Sequence, residues 1–456
     1  MPKWTILELI RNNPNAYKEV LKKRGKDPEL ADKAHEIDKK YRELLKEVEH
    51  LRHEVNKLTD EIKTLSDDSK KKELIEKGKQ LKEELKKKEE ELDQIEKERI
   101  RILYKLPNII ADDVPYGESD DQNLAVYYYG RPKVFKEFEE AFLNQTKGFD
   151  VDYTLIDYRP IGHADMAEYV LKLLDTYQAA QVASSRFYYE FNELVLLDFA
   201  LSLYALEFLR KKGYKITIPP YMIRKDLLFG ALDFETFEEM IYKIEDEDLY
   251  LIGTAEHALL GMCYKRVLEE DELPIRLAGW SPCFRREAGA SGRDTKGAFR
   301  VHQFHKVEQF IFCKPDESQE LHKELYNNMK ELWEGLDIPF RIVVVCTGEM
   351  GRAAYKQYDI EAWMPAQGLY REMGSCSNCL DWQGFRANIT YAKKDTGERV
   401  YVHTLNSTAI AIQRAICAIL ENCQTEDRVV KIPPVLHKYL KALGFEEKEL
   451  VPKDQK

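Results

Sequence analysis

No run of apolar residues in this 456-residue chain approaches the roughly 20 that a helix needs to cross a bilayer. The opening, MPKWTILELIRNN, has neither the uninterrupted apolar core nor the small-residue cleavage site of a secretory signal, so the expectation is a soluble, cytoplasmic protein. Cysteine is sparse and scattered. The eight thiols lie mostly in apolar segments such as RIVVVCTG and AICAILENC, which excludes a small disulfide-stapled scaffold and suits reduced, packed side chains. A basic balance is missing too: the net charge of -11 counts against indiscriminate coating of nucleic acid, while leaving room for a local RNA-binding face. No internal repeat is visible outside one heptad region. What is present is length for two or three domains and, at 44% hydrophobic residues, material for a large core.

From Ile37 the apolar positions run Ile37, Tyr41, Leu44, Val48, Leu51, Val55, Leu58, Ile62 and Leu65, spaced alternately four and three apart. That is a heptad seam. After the turn-like SDDS at 66–69, a second seam runs from Leu74 through Leu81, Leu85, Leu92, Ile95 and Ile102, weakened at Gly78, Lys88 and Arg99. Two helices joined by a short polar turn form an antiparallel hairpin, a protruding rod whose arms are on the order of 50 Å long. LPNIIADDVPYGESDDQN (106–123) closes the rod as a linker. The chain therefore divides into residues 1–106, an N-terminal domain with the long hairpin, and 107–456, a globular domain that includes the linker. In the latter, 194–214 reads as an apolar helix and KITIPPYM as a short strand stopped by Pro219 and Pro220. Further strands are expected at 248–253, 276–286, 299–312, 341–346, 357–364 and 386–391. LNSTAIAIQRAICAILENC (405–423) reads as a final long helix capped by Asn406, Ser407 or Thr408. Strands joined by hairpins, with helices packed outside, imply an α+β domain on a mostly antiparallel sheet.

The stretch FRREAGASGRDTKGAFRVHQFHKVEQF holds two strands around the loop 288–298. Alternation puts Arg285 and Glu287 on one face, and Arg300, His302, Phe304, Lys306 and Glu308 on one face of the other strand. A solvent-facing hairpin carries such charges at no cost. Here, however, LAGWSP leads into the first strand and FIFCKP leaves the second, which places the charges in mid-sheet. Buried arginines and acids need partners or a charged ligand. A polyanion with an adjacent amine satisfies both signs, with forked arginine donors for phosphates and Phe304 to stack on a flat heterocycle. That chemistry describes ATP beside an amino acid. Arg414, the only full charge between His403 and Glu421, fits either a buried ion pair or the same ligand. Glu372 and Ser375 are oxygen donors on one short segment, suited to Mg²⁺.

These motifs come in a specific order: Pro219-Pro220 after a long helix, GTAEHALLG (253–261), FRREAG…RVHQFHKVEQF, YREMGSCSNC…DWQGFR and HTLNSTAIAIQRAI. Together they resemble a class II aminoacyl-tRNA synthetase, and within that class a seryl-tRNA synthetase of the archaeal and eukaryotic branch, over essentially the whole chain. The resemblance implies that Thr254, Ala255 and Glu256, with Glu308, Asn406 and Thr408, line a serine pocket. It implies that Arg285 bridges the serine carboxylate and the α-phosphate, and that Arg286, Glu287, Arg300, Val301 and Phe304 bind ATP. Glu372, Met373, Gly374 and Ser375 would lie along ATP, Glu372 and Ser375 would hold Mg²⁺, and Arg414 would grip the γ-phosphate. Arg285 and Arg414 are thus the expected catalytic groups.

The chain departs from the family at Ser407, Ala409 and Gln413, where glycines are common, and at Phe385, where many relatives carry arginine. Thr254-Ala-Glu256 belongs to the metal-free serine pocket rather than the zinc-dependent one. Cys376-Ser-Asn-Cys379 has metal-like spacing but no second pair, so no structural zinc is expected. His302 and His305 would point to opposite faces of a strand.

A heptad hairpin alone is most often structural. The resemblance makes it the arm that binds the long variable arm of tRNA(Ser), and a lysine band (Lys70, Lys71, Lys72, Lys77, Lys79, Lys82, Lys86, Lys87 and Lys88) is compatible with phosphate contact. L-serine, ATP, tRNA(Ser) and a homodimer through 194–220 are the expected partners. A non-catalytic paralogue would not need Arg285, Glu308, Glu372 and Arg414 together. A cytoskeletal coiled coil would continue its heptads past Ile102.

Overall fold

The computed structural model describes residues 2–64, 67–233, 238–287, 294 and 296–453. The chain forms two compact units, one of residues 5–109 and one of residues 1–4 with 110–456.

In the first unit, short helices α1 (Thr5–Asn12) and α2 (Pro14–Lys23) precede α3 (Glu29–Thr64) and α4 (Asp68–Leu103), which pair as a hairpin. Of the expected turn at 66–69, Ser66 lies outside the described residues, and Asp67 caps α4 by accepting the Ser69 N–H at 3.0 Å. Ile37, Tyr41, Leu44, Val48, Val55 and Leu58 are buried along the seam as the heptads require. Arg99, a weak place in the heptad pattern, is instead a buried partner. Its Nη2 lies 2.8 Å from Asp38, whose carboxylate also binds Arg11 at 2.7 Å and Arg42 at 3.0 Å.

The second unit is built on an eight-stranded sheet. In chain order its strands are β1 (Leu124–Tyr129), β2 (Lys215–Thr217), β3 (Ile275–Phe284), β4 (Gln303–Cys313), β5 (Phe340–Val344), β6 (Lys356–Met364), β7 (Leu369–Asn378) and β8 (His403–Ala411). The spatial order is β1-β5-β6-β7-β8-β4-β3-β2, antiparallel throughout except where β2 runs parallel to β3. β2 ends at Thr217, before the two prolines that cannot donate to a ladder. Helices α5 (Glu193–Lys211), α7 (Ser318–Gly335) and α9 (Ile412–Asn422) pack on the sheet, and the short helices α6 (Ala255–Leu260) and α8 (Trp382–Arg386) close another part of it.

Both faces of β4 are buried. Ile311 and Cys313 enter one core cluster while Phe310 and Phe312 enter a second, formed with Ala255, Leu259 and Leu260 of α6. This is why FIFC reads as an unbroken apolar run. Lys306 and Glu308 share parity with Phe310 and Phe312, on the face that α6 covers, while Phe304, farther along, packs against the first cluster.

Two expectations need correction. Residues 405–423 are not one helix: β8 occupies His403–Ala411 and α9 begins at Ile412, so Asn406, Ser407 and Thr408 lie in mid-strand and cap nothing. Every residue of β8 is buried, so small and apolar side chains fill both faces and the two-residue period is masked. The strand expected at 386–391 is shifted: α8 ends at Arg386 and a short strand covers Thr390–Ala392, after Asn388 at φ +51°.

Candidate active site

β3 and β4 pair as the expected hairpin, with Gly279 opposite Glu308, Ser281 opposite Lys306 and Cys283 opposite Phe304. Most of its loop lies outside the described residues. The ladder ends at Phe284 and Gln303, although the Arg285 N–H still reaches the His302 carbonyl at 2.9 Å. Beyond that point strict alternation lapses. Glu287 takes φ +49°, and His302, outside the cleft that Arg300 and Phe304 line, packs its ring near Phe187 and Tyr242 with Nδ1 2.7 Å from the Arg285 carbonyl.

One cleft is lined by Arg285, Glu287, Arg300, Val301, Phe304, Glu372, Met373, Gly374, Ser375, Thr408 and Arg414, among others. These are most of the residues picked out for ATP. Arg286 is exposed and not part of that lining, because the backbone turns it away between its two neighbours. The Arg285 guanidinium lies 5.3 Å over the Phe304 ring and donates from Nε to the Gly253 carbonyl at 3.0 Å. Arg300 Nε stands 3.7 Å from Glu287. Arg414 donates from Nη1 to the Glu372 carbonyl at 2.9 Å and lies 3.4 Å from its carboxylate. Phe299, which sequence reasoning passed over, sits between two guanidinium groups, Arg371 at 4.6 Å and Arg414 at 5.2 Å. Arg371 in turn binds Asp294 of the hairpin loop at 2.6 Å.

Glu372 and Ser375 are three apart, which on a regular strand would separate their faces. A bulge at Met373 removes the conflict: Glu361 pairs with Glu372, Ile360 with Gly374 and Asp359 with Ser375. Asp359, Glu361, Glu372 and Ser375 therefore share a face. Burial pushes the Glu372 carboxyl up, but Arg414, Arg285 and Arg300 outweigh it and hold it below its usual range. Burial and the Glu372 charge keep Asp359 well above its own. An ionised carboxylate and a hydroxyl on one face are oxygen donors of the kind a divalent cation takes, although among the described residues no three carboxyl, imidazole or thiol groups cluster closely enough to hold a metal ion by themselves.

Along the same face the chemistry turns acidic. Thr254 caps α6, accepting the Glu256 N–H at 3.3 Å, and its hydroxyl donates to Glu308 Oε2 at 3.4 Å. Lys306 forms an ion pair with Glu308 and donates to Thr408 Oγ1 at 3.4 Å. Asn406 donates to Glu256 Oε1 at 3.2 Å. Thr254, Glu256, Glu308, Asn406 and Thr408 are thus brought together. Ala255 is fully buried, and a Cβ on Gly279 would stand 3.1 Å from its own. Burial first and the Glu308 charge second push the Glu256 carboxyl up to about 7, against Gln383, Lys306 and Arg285. Burial, with Arg285 and Lys306 adding to it, pushes the neighbouring His257 down to about 3.

Gln383 was missed although DWQGFR stood out. It donates to Glu256 Oε1 at 2.7 Å and to the Ala231 carbonyl at 3.0 Å, while Thr404 Oγ1 donates to its Oε1 at 2.6 Å. Nothing but its place in a motif could have signalled it, since an uncharged amide reveals its role only through contacts. Phe385 stacks on Trp4 with centroids 3.9 Å apart.

The family profile described as seryl-tRNA synthetase N-terminal domain matches residues 7–110, and that described as tRNA synthetase class II core domain (G, H, P, S and T) matches residues 239–423. A serine–tRNA ligase of Hyperthermus butylicus is 52% identical over 450 residues, 98% of each chain. The crystal structure of seryl-tRNA synthetase from Pyrococcus horikoshii complexed with ATP aligns with a TM-score of 0.90 and 46% identity over 98% of this chain and 99% of that one. Cytoplasmic serine-tRNA ligase from Naegleria fowleri, in complex with AMP, aligns with a TM-score of 0.81 and 33% identity over 98% of both. An arginine-lined cleft joined to an acid-lined pocket on one antiparallel sheet, with these matches along nearly the whole length, means that the chain belongs to the seryl-tRNA synthetases of class II.

Proposed function

We propose that this chain activates L-serine with ATP to seryl-adenylate and transfers the seryl group to the 3′-terminal adenosine of tRNA(Ser). The observation that carries the reading is the change of sign along one partly buried cleft, from Arg414, Arg300 and Arg285 to Glu308 and Glu256. The serine carboxylate is itself the nucleophile at the α-phosphorus, and diphosphate leaves. The protein's share is therefore alignment and charge stabilisation. Arg285 lies between the two halves and bridges the reacting carboxylate and phosphate. Arg414 meets the γ-phosphate, and Arg300, Glu287 and Val301 surround the base. On ATP binding Phe304 stacks on the adenine. Glu256 and Glu308 take the serine ammonium, and Thr254, Asn406 and Thr408 read its hydroxyl, so that alanine leaves buried polar atoms unpaired. Glu372 and Ser375, with Asp359 beside them, would hold Mg²⁺, which neutralises phosphate charge when bound.

The helical hairpin of the first unit binds the variable arm of tRNA(Ser) through its lysine band. The subunits form a homodimer through residues 194–220, where Phe199, Leu203 and Ile218 are 48%, 43% and 69% exposed. The cysteines of the described residues are all free, which suits the reducing cytoplasm.

The test is serine-dependent exchange of pyrophosphate into ATP, run beside threonine, alanine and cysteine, with Arg285→Ala as control. Exchange with serine, lost in the variant, followed by serylation of tRNA(Ser), is the expected result. Folded protein that exchanges with no amino acid sinks the reading and leaves the non-catalytic paralogue.

A further inference from the structure

β4 and β8 pair up to Lys306 opposite Ala411, and there β8 stops because α9 begins at Ile412. The next backbone N–H of β4, that of His305, would lose its partner at this corner. Gln413 supplies one: its side-chain Oε1 accepts the His305 N–H at 2.7 Å. The same amide donates from Nε2 to Asp198 Oδ2 of α5 at 2.7 Å and to Glu190 Oε1 of the short strand Tyr189–Glu190 at 3.2 Å. Asp198 also receives the His305 ring through Nδ1 at 2.8 Å. Gln413 is 1% exposed, so these bonds form away from competing water. Gln413 itself borders the cleft, its sequence neighbour is Arg414, and His305 follows Phe304, whose ring lines the same cleft. A glycine in its place has no group that could do any of this.

We infer that Gln413 is a positioning residue for ATP binding, which replaces the missing strand at the β8–α9 corner and so fixes Arg414 and the Phe304 ring relative to α5. The inference rests on reading the Arg414 cleft as the nucleotide site. Charge supports the arrangement. Burial and the Asp198 carboxylate push the Glu190 carboxyl up to about 7, while Gln413 and His305 oppose the rise. Tyr188, the residue just before that strand, faces the same two acids and Cys417 of α9. The amide of Gln413 is thus a neutral donor between two carboxyls, where a third carboxylate would be repelled.

ATP affinity measured by calorimetry on the full-length protein tests this without depending on serine chemistry. Gln413→Ala is expected to weaken ATP about tenfold, the effect of losing bonds of this kind, with the serine KM in exchange changed by less than about twofold. Gln413→Glu keeps the shape and the acceptor for His305 but can donate to Asp198 or Glu190, one of the two, only when protonated. Its ATP affinity should therefore recover toward wild type as pH falls from about 8 to about 6, while Gln413→Ala shows no recovery relative to wild type. ATP affinity within about twofold of wild type in a folded Gln413→Ala protein overturns the inference. If that variant does not fold, a pH-independent affinity in Gln413→Glu overturns it instead. Wild-type protein that binds ATP yet shows no serine-dependent exchange defeats the proposed reaction and leaves the affinities to decide the role of Gln413.

Discussion

Glu256 carries a charge that its surroundings leave balanced near neutrality, since burial and Glu308 raise it to about 7 while Gln383, Lys306 and Arg285 pull the other way. If it meets the serine ammonium ionised, kcat/KM for serine in the exchange reaction rises with pH through about 7, and Glu256→Gln removes that limb and raises the serine KM. The sign for stability is opposite. Between the ordinary carboxyl value of 4.5 and about 7 the folded state holds a proton that the unfolded state has lost, so this group's contribution to stability declines as pH climbs through that window. Glu256→Gln should flatten that part of a plot of Tm against pH, and an unchanged profile counts against the assignment. Arg285, Glu287, Arg300, Phe304 and Arg414 were legible in the sequence because charges beside apolar runs need a reason. Gln383, Asp359 and Phe299 were not, because each acts through a neighbour supplied by a distant segment.

The bulge at Met373 and the strand His403–Ala411 show how much of the site rests on elements that the pattern hid. β7 and β8 approach so closely at Gly374 that an added Cβ would lie 2.7 Å from Thr408 Cβ and 2.8 Å from its Cγ2. Gly374→Ala must therefore displace Thr408, with an expected cost of about 1–3 kcal/mol in a urea melt. The serine KM should rise with it, and a KM at the wild-type value would show that Thr408 does not read the substrate. In the hairpin, Asp38 holds the buried Arg99 together with Arg11 and Arg42. Asp38→Ala strands a guanidinium in the seam and is expected to cost about 3–5 kcal/mol. Faster amide exchange in α3 and α4, with the sheet unit unchanged, would register it. The heptads located these two helices because their period survives on a narrow apolar stripe. β8 escaped because a strand buried on both faces has no polar side to mark its period.

With a net charge of -11, the protein depends on local rather than overall attraction to bind tRNA. Changing the exposed Lys72, Lys82 and Lys86 to Glu should weaken tRNA(Ser) binding and lower the slope of log affinity against log salt by about 1 for each phosphate no longer neutralised. Serine-dependent exchange should stay at the wild-type level, and unchanged tRNA affinity would remove the lysine band from the interface. Leu203→Glu, on the exposed apolar face of α5, should shift the sedimenting species from dimer to monomer, and a wild-type monomer at micromolar concentration would dismiss the dimer. The α+β class, the hairpin, the β3–β4 pair and the family were all decided by local order along the chain, since heptads, alternation and linear motifs are properties of neighbours. The sharing of one face by Glu372, Ser375 and Asp359, the seating of Glu256 against Gln383, and the repair of the β8–α9 corner by Gln413 were decided only in three dimensions. Each depends on where a bulge, a strand end or a buried amide falls against a segment far away in sequence, and no local pattern encodes that distance.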